Sequence, residues 1–337
     1  MKIVYIGNLL QARGTPTTID ILSQQLINEG YVVQKFSSKK NLILRMVDMC
    51  LGFFKNLDAQ VVLIDTYSTA AFWYAVLLAF LCRVFKKKYV LYLHGGDLPN
   101  RLIKNPRICN WLFSNSNINV APSNYLYQSF ISKGFTNCMV IPNTIEISNY
   151  PYKIDRNVIN PKILWVRSFS EIYNPTLAID VLVLLKQKFP NSELCMVGPE
   201  KDGSLEKTKQ YAKQNNVKVV FTDKLSKKDW VKLSETFNIF LNTTNFDNTP
   251  VSVIEAMALG LPVVSTNVGG LPFLINSGLD GILVDPNNAL ALSDKITQLI
   301  QDKNKYKEIA NAARLKAEKF DWIEVRKSWD SLFKSID

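Results

Sequence analysis

Residues 242–270 read NTTNFDNTPVSVIEAMALGLPVVSTNVGG, and the whole chain can be parsed outward from them. The spacing predicts a helix over 250–259. Thr249 can cap it, Pro250 suits the first helical position, and Gly260 followed by Pro262 ends it. Short apolar runs on either side, at 239–242 and 262–265, are expected as strands. The helix carries one charge, Glu255, and its i±3 and i±4 positions are Val251, Ser252, Ala258 and Leu259. A buried, unpaired charge is costly and marks a partner outside the helix. That partner is either a cation from another segment or a polar ligand. Asp247 stands just ahead of the helix, roughly 10 Å from Glu255 at 1.5 Å rise per residue plus the loop. A polar ligand lying across the helix N-terminus reaches both.

Strands joined by a crossover helix imply a parallel sheet with helices on both faces. The same alternation runs along the rest of the chain. Residues 2–6 form a strand, 7–14 a glycine loop, and Thr15-Pro16 opens a helix that Gly30 closes. Further strands are expected at 31–36, 61–64, 89–93, 118–121 and 139–141, with a helix within 39–55. Residues 142–161 are polar and aperiodic, the composition of a linker. The alternation then restarts with strands at 162–166, 193–197 and 217–221 and helices at 175–188, 226–237, 289–301 and 303–319. A capping-box pattern at Asp321 and Glu324 opens a last helix with Val325, Trp329, Leu332, Phe333 and Ile336 on one face. The expected organisation is α/β: two tandem Rossmann-like, doubly wound parallel-sheet domains facing a central cleft. The domains are expected at 1–150 and 151–319, with 320–337 packing back on the first.

The 337 residues are 47% hydrophobic and 20% charged, a balance that supports two sizeable cores. Five scattered cysteines without a C-x-x-C pair fit a reducing compartment, and the opening residues read as a strand, so a cytoplasmic location is expected. The net charge of +11 comes without basic repeats or interleaved aromatics, so nucleic acid is not expected as a partner. The apolar run 66–82, followed by Arg83 and by Lys86, Lys87 and Lys88, sits at the lower length limit for a membrane span. It is expected as a buried crossover helix whose basic end lies near the inner face of an anionic membrane.

Open parallel sheets bind ligands beyond the carboxyl ends of their strands. The first domain offers there the glycine loop, with Arg13 and Gly14, and the run His94-Gly95-Gly96-Asp97. The second offers Arg167, the segment from Gly198 to Lys201, and the turn from Asn245 to Pro250. Gly7-x6-Gly14 is not the dinucleotide fingerprint and no G-x4-G-K-[ST] loop exists, so NAD and ATP chemistry are not expected. The helix start at Gly14 can present N–H groups to an anion or a sugar, or be an ordinary turn. His94 is the only histidine and has no cysteine near it in sequence, which gives zinc and Cys–His chemistry little support. Arg167 can clamp a diphosphate bidentately, or pair with Glu171. No D-x-D occurs. Neither a metal nor a cofactor is expected.

Together these residues resemble the retaining glycosyltransferases of family four, which have the GT-B fold. The resemblance covers nearly the whole chain. Its E-x7-E motif is present as Asp247…Glu255, followed by E-A-M-A-x-G-x-P-V-V over 255–264 and by Gly269-Gly270. His94-Gly95-Gly96-Asp97, Pro142-Asn143, Val166-Arg167 and the closing helix with its tryptophans add to it. The resemblance implies that Glu255 binds the nucleotide ribose and Arg167 the diphosphate. It places Asp247 and the turn Asn248, Thr249, Pro250 and Val251 on the donor sugar, Gly14, Gly198 and Lys201 along the donor, and His94 beside the transferred sugar. The catalytic set is then His94, Arg167 and Asp247. Two departures stand out. The first Glu of the motif is Asp247, and the family's Lys five residues after the Arg is Ile172, so a second diphosphate cation is sought in Arg13 or Lys201.

The expected activity is metal-independent transfer, with retention, of a sugar from a UDP- or GDP-linked donor. The acceptor is a saccharide or a lipid-linked molecule, in polysaccharide or glycolipid synthesis. The rivals are a catalytically silent protein binding sugar nucleotides or anionic lipid, and a glycoside hydrolase using Asp247 and Glu255 as acid and base.

Overall fold

The computed structural model describes residues 1–9 and 17–336. The chain divides into two units, residues 1–143 with 325–337, and residues 144–324. In the first unit the order is β1 (Lys2–Ile6), α1 (Thr18–Asn28), β2 (Val32–Phe36), α2 (Leu42–Lys55), β3 (Val61–Thr66), α3 (Phe72–Val84), β4 (Lys88–Leu93), α4 (Leu98–Lys104), α5 (Pro106–Ser114), β5 (Ile118–Ala121), α6 (Asn124–Ile131) and β6 (Cys138–Val140). All strands are parallel, in the order β2-β1-β3-β4-β5-β6. The central strands β3 and β4 are buried almost throughout, which is why their sequences are continuous apolar runs rather than alternating ones.

The second unit holds β7 (Lys162–Val166), α7 (Pro175–Lys188), β8 (Glu193–Val197), α8 (Ser204–Gln214), β9 (Val220–Thr222), α9 (Lys227–Ser234), β10 (Ile239–Asn242), α10 (Val251–Ala258), β11 (Val263–Thr266), α11 (Leu271–Leu274), β12 (Ile282–Val284), α12 (Ala289–Gln301) and α13 (Lys303–Glu318). Its strands are again all parallel, ordered β12-β11-β10-β7-β8-β9. Strand order therefore reverses between β1 and β3 in one unit and between β7 and β10 in the other. Crevices at such switch points are where open sheets take ligands.

The last helix, α14 (Trp322–Ile336), buries Val325, Trp329, Leu332, Phe333 and Ile336, the face its periodicity predicts. Trp329 meets Tyr92 edge-on at 5.5 Å, Tyr31 donates to Asp330, and Arg326 pairs with Glu29, so 325–337 belong to the first unit.

Several local expectations are corrected. Residues 144–161 are not a free linker. The Arg156 guanidinium donates to the carbonyls of Ser234, Phe237 and Leu259, which anchors this irregular segment in the second unit. Helix α1 starts after Thr17, whose N–H and hydroxyl both reach the Asp20 carboxylate; Thr15 and Pro16 lie outside the described residues. Helix α9 ends at Ser234 rather than at 237. Helix α3 starts only at Phe72 and is not fully buried, since Trp73, Phe80 and Val84 face outward.

Candidate active site

At the switch point of the second unit, β7 delivers Arg167 and the loop after β10 delivers Asp247, and the two side chains form an ion pair. The Arg167 guanidinium also lies over the ring of Tyr173, 4.2 Å from its centroid. Burial pushes the Arg167 pKa down, with Tyr173 opposing the shift. The pairing expected with Glu171 is not made. Asp247 takes the guanidinium instead, and a Glu171 backbone N–H is held by Asp202. The Nε of Arg167 and the Oγ of Ser252, in the first turn of α10, are buried and lack a hydrogen-bond partner among the described residues. Orphaned buried polar atoms are rare and demand an explanation.

Backbone shape around this pair is set by glycines. Gly198 has φ +153°, and a Cβ there would lie 1.8 Å from the Arg167 carbonyl oxygen. Gly269 has φ +55° and Gly270 donates its N–H to the Asp247 carbonyl at 2.8 Å. A Cβ on either would run into the Asp247 or Asn248 carbonyl. The Gly-Gly pair of the opening stretch thus holds the Asp247–Asn248 turn by direct backbone contact.

Helix α10 begins one residue later than expected. Pro250, with φ −69° and ψ 114°, is the residue flanking the helix, and no side chain caps it; Thr249 lies outside the helix and plays no cap role. At the start of α10 the Val253 N–H donates to the Pro250 carbonyl at 3.0 Å, and the Val251 and Ser252 N–H groups ahead of it, with the helix dipole, favour an anion. Asn248 N–H donates to the Asp247 carboxylate at 2.8 Å.

Glu255 is 3% exposed and not unpaired. It accepts from the Tyr150 hydroxyl at 2.7 Å and pairs with Lys227 at the start of α9. Burial, reinforced by the Glu255 charge, pushes the Tyr150 pKa up, keeping that hydroxyl a donor. Both partners are remote in sequence, so no signal within 242–270 could have found them.

The segment from Gly198 to Lys201 behaves differently from expectation. The Glu200 carboxylate accepts the N–H groups of Lys201, Asp202, Gly203 and Leu205. Against the upward push of desolvation, the N–H groups of Leu205, Gly203, Lys201 and Asp202 hold Glu200 below its usual range. The anion site at this helix start is filled by the chain's own carboxylate. The Lys201 side chain is exposed, and its position gives no support to a role as second diphosphate cation. Gly14 and Arg13 lie outside the described residues.

In the first unit, β3 ends at Asp65-Thr66 and β4 feeds His94, whose N–H donates to the Thr66 carbonyl at 2.7 Å. His94 Nε2 lies 2.7 Å from Asp65 Oδ1, and the same oxygen accepts from the Tyr5 hydroxyl at 2.9 Å. Tyr67 stacks on the imidazole at 5.0 Å and donates to Asp65 Oδ2 at 3.3 Å; Tyr92 flanks the ring at 4.5 Å. A carboxylate can only accept, so this contact places a proton on His94 Nε2. Burial and then the Asp65 charge push the pKa values of Tyr5, Tyr67 and Tyr92 up. Sequence reading singled out His94 but not Asp65. Its signal is there, a carboxylate closing an apolar buried strand at the switch point.

Two parallel-sheet units with charged and glycine-shaped rims at their switch points define the class as a GT-B-type fold. The model of the family described as "Glycosyl transferases group 1" matches residues 148–316, and the chain belongs to that family. Sucrose-phosphate synthase from Thermosynechococcus elongatus is similar in structure over 100% of this chain and 99% of its own, with a TM-score of 0.83 at 14% identity. Anabaena Alr3699/HepE, solved with UDP-glucose, is similar over 99% of this chain and 100% of its own, with a TM-score of 0.76 at 17% identity. In sequence, sulfoquinovosyl transferase SQD2 from Arabidopsis thaliana is 28% identical over 150 residues, 43% of this chain. The matched region spans 28% of that relative's length and 9% of a sucrose-phosphate synthase from Oryza sativa.

Proposed function

We propose that the chain transfers a sugar, with retention and without a metal ion, from a nucleotide-diphosphate donor to a saccharide or lipid-linked acceptor in polysaccharide or glycolipid synthesis. The observation that carries this reading is the orphaned Nε of Arg167, whose guanidinium pairs with Asp247 in the loop leading to the uncapped start of α10, where Ser252 Oγ is also without a partner. A diphosphate supplies acceptors for all of these groups at once. UDP and UDP-glucose are bound by Alr3699/HepE, which supports a UDP-linked donor here.

In this reading Glu255 accepts from the ribose hydroxyls, with Tyr150 fixing its carboxylate. Arg167 and the first turn of α10 stabilise the charge that appears on the β-phosphate oxygen as its bond to the anomeric carbon breaks. The acceptor oxygen bonds to the same face of that carbon and passes its proton to the departing phosphate oxygen. Asp247, with Asn248, Thr249 and Val251, bounds the donor sugar, and His94, oriented by Asp65, is the catalytic residue that the first unit contributes. Ile172 stands at the position of the family's lysine and Tyr173 next to it lies under the Arg167 guanidinium, so Arg167 works without a second fixed cation from that loop.

A hydrolase reading finds less support. Asp247 faces Arg167, and Glu255 faces Lys227 and Tyr150, so neither sits in the apolar, cation-free setting of a general acid. The experiment is a screen of the purified protein against UDP- and GDP-sugars, read by released nucleotide. Release that rises with an added saccharide or lipid-linked acceptor supports transfer. Nucleotide binding without any release favours a silent binding protein.

A further inference from the structure

Helix α2 is apolar on both sides, unlike an ordinary surface helix. Inward it buries Met49 and Phe53 in the core of the first unit, beside Arg45, which donates to the carbonyls of Lys39 and Lys40 and to the Asn8 side chain. Its outward side, at i, i+4, i+8 and i+11, is Ile43, Val47, Leu51 and Phe54, exposed by 69%, 47%, 50% and 44%. A solvent-facing helix puts its polar residues there. Helix α3 repeats the pattern with Trp73, Phe80 and Val84 outward.

The two stripes lie side by side. Near their starts the Tyr74 hydroxyl donates to the Leu42 carbonyl at 3.1 Å, and near their ends the rings of Phe54 and Phe85 meet at 5.4 Å. The helices therefore run parallel and form one apolar face about 20 Å long. Basic residues border it at both ends: exposed Lys39 and Lys40 before α2, and exposed Lys55, Arg83 and Lys86 at the other end. The acidic residue within the two helices is Asp48, half-buried.

We infer that this α2–α3 face of the first unit is the docking surface for an anionic phospholipid bilayer, lying in the plane of the interface. No helix among the described residues is long and apolar enough to cross a membrane. An apolar stripe with flanking lysines and arginines is the chemistry that seats a helix in the headgroup boundary and draws it to anionic lipid. Charge complementarity selects this occupant. A second copy pairing through the same face would set basic ends against basic ends. The inference is independent of the donor chemistry, since none of these side chains belongs to the proposed active site.

The test is co-sedimentation of the full chain with phosphatidylcholine vesicles, with and without phosphatidylglycerol. The wild type is expected to pellet with the anionic vesicles, less at high salt, and weakly with the neutral ones. Ile43→Ser/Leu51→Ser/Phe54→Ser should lower partitioning about tenfold or more. Lys39→Glu/Lys86→Glu, which leaves the apolar face intact and guards against misfolding of the serine variant, should lower it by a similar factor on anionic vesicles only. UDP titration of each variant reports separately on the nucleotide site. Equal partitioning onto neutral and anionic vesicles overturns the inference, as does wild-type partitioning by the serine variant. So does a wild-type dimer in sedimentation velocity that the serine variant abolishes, or capture of a protein in place of lipid.

Discussion

Asp65 Oδ1 lies 2.7 Å from His94 Nε2 and also accepts the Tyr5 hydroxyl, so one buried carboxylate sets the orientation of the chain's single histidine. Replacing Asp65 by Asn keeps the size but offers an amide to Nε2. In the proposed reading Asp65→Asn should lower kcat about 10- to 100-fold, the worth of a hydrogen bond to a charged group. KM for the donor should change little. A raised donor KM at constant kcat would mean that Asp65 acts on binding rather than through His94.

Arg167 and Asp247 form an ion pair, and the Arg167 guanidinium also lies over Tyr173. Arg167→Ala should reduce turnover at least about 100-fold with every donor, because it acts on the diphosphate common to all. Arg167→Lys should restore only part, since a lysine cannot reproduce the planar fork over Tyr173. Circular dichroism and the melting temperature separate this from loss of fold. A drop in stability with normal turnover per folded molecule would favour a purely structural pair.

Gly269 and Gly270 offer a test of the turn itself. A Cβ on Gly269 would lie 2.1 Å from the Asp247 carbonyl oxygen, and one on Gly270 1.7 Å from that of Asn248. Gly270→Ala should leave the second unit folded while displacing the Asp247–Val251 turn, raising donor KM about tenfold or more. Unchanged kinetics would show that the turn relaxes without consequence for the donor.

Much of the fold could be read from residue pattern. Strands β1, β5, β7, β8 and β10 and helices α7 and α12 fall at the expected residues because each is a long or fully apolar run with clear punctuation. The short α4, α5 and α6 are not expected from the sequence, because each spans only about two turns. For the site, Arg167 and His94 could be singled out because each follows a buried strand, Glu255 because it stands alone in an apolar helix, and Asp247 because it is the carboxylate of the loop leading into that helix. Their partners could not. Tyr150 lies 105 residues from Glu255, and Lys227 sits on a helix whose own pattern reads as solvent-exposed. The Gly198–Lys201 loop misled for a different reason: only the folded backbone shows that Glu200 already fills its N–H groups.

The carboxylates around that loop predict an acid response. Ser170, Ser204 and the Glu171 N–H lower the Asp202 pKa to about 2. A carboxylate depressed on folding contributes stability that is full above its unfolded pKa of about 4 and is lost as pH falls toward 2. The melting temperature of the wild type should therefore fall more steeply than that of Asp202→Asn between these values. Parallel curves would contradict the assignment.

Lys227 is 61% exposed at its side chain, whereas Glu255 is almost fully buried. Such a half-solvated pair is worth about 1 kcal/mol or less. Lys227→Ala should therefore shift nucleotide affinity less than about fivefold, which separates it from its partner.

Calorimetric titration of UDP and GDP into the wild type and Glu255→Gln tests the central claim most directly. The account predicts saturable binding of at least one of the two nucleotides by the wild type, weakened about 10- to 100-fold by the substitution, whose lost acceptor served the ribose hydroxyls. Absence of nucleotide binding by the folded wild type, or equal affinity in the variant, would contradict it.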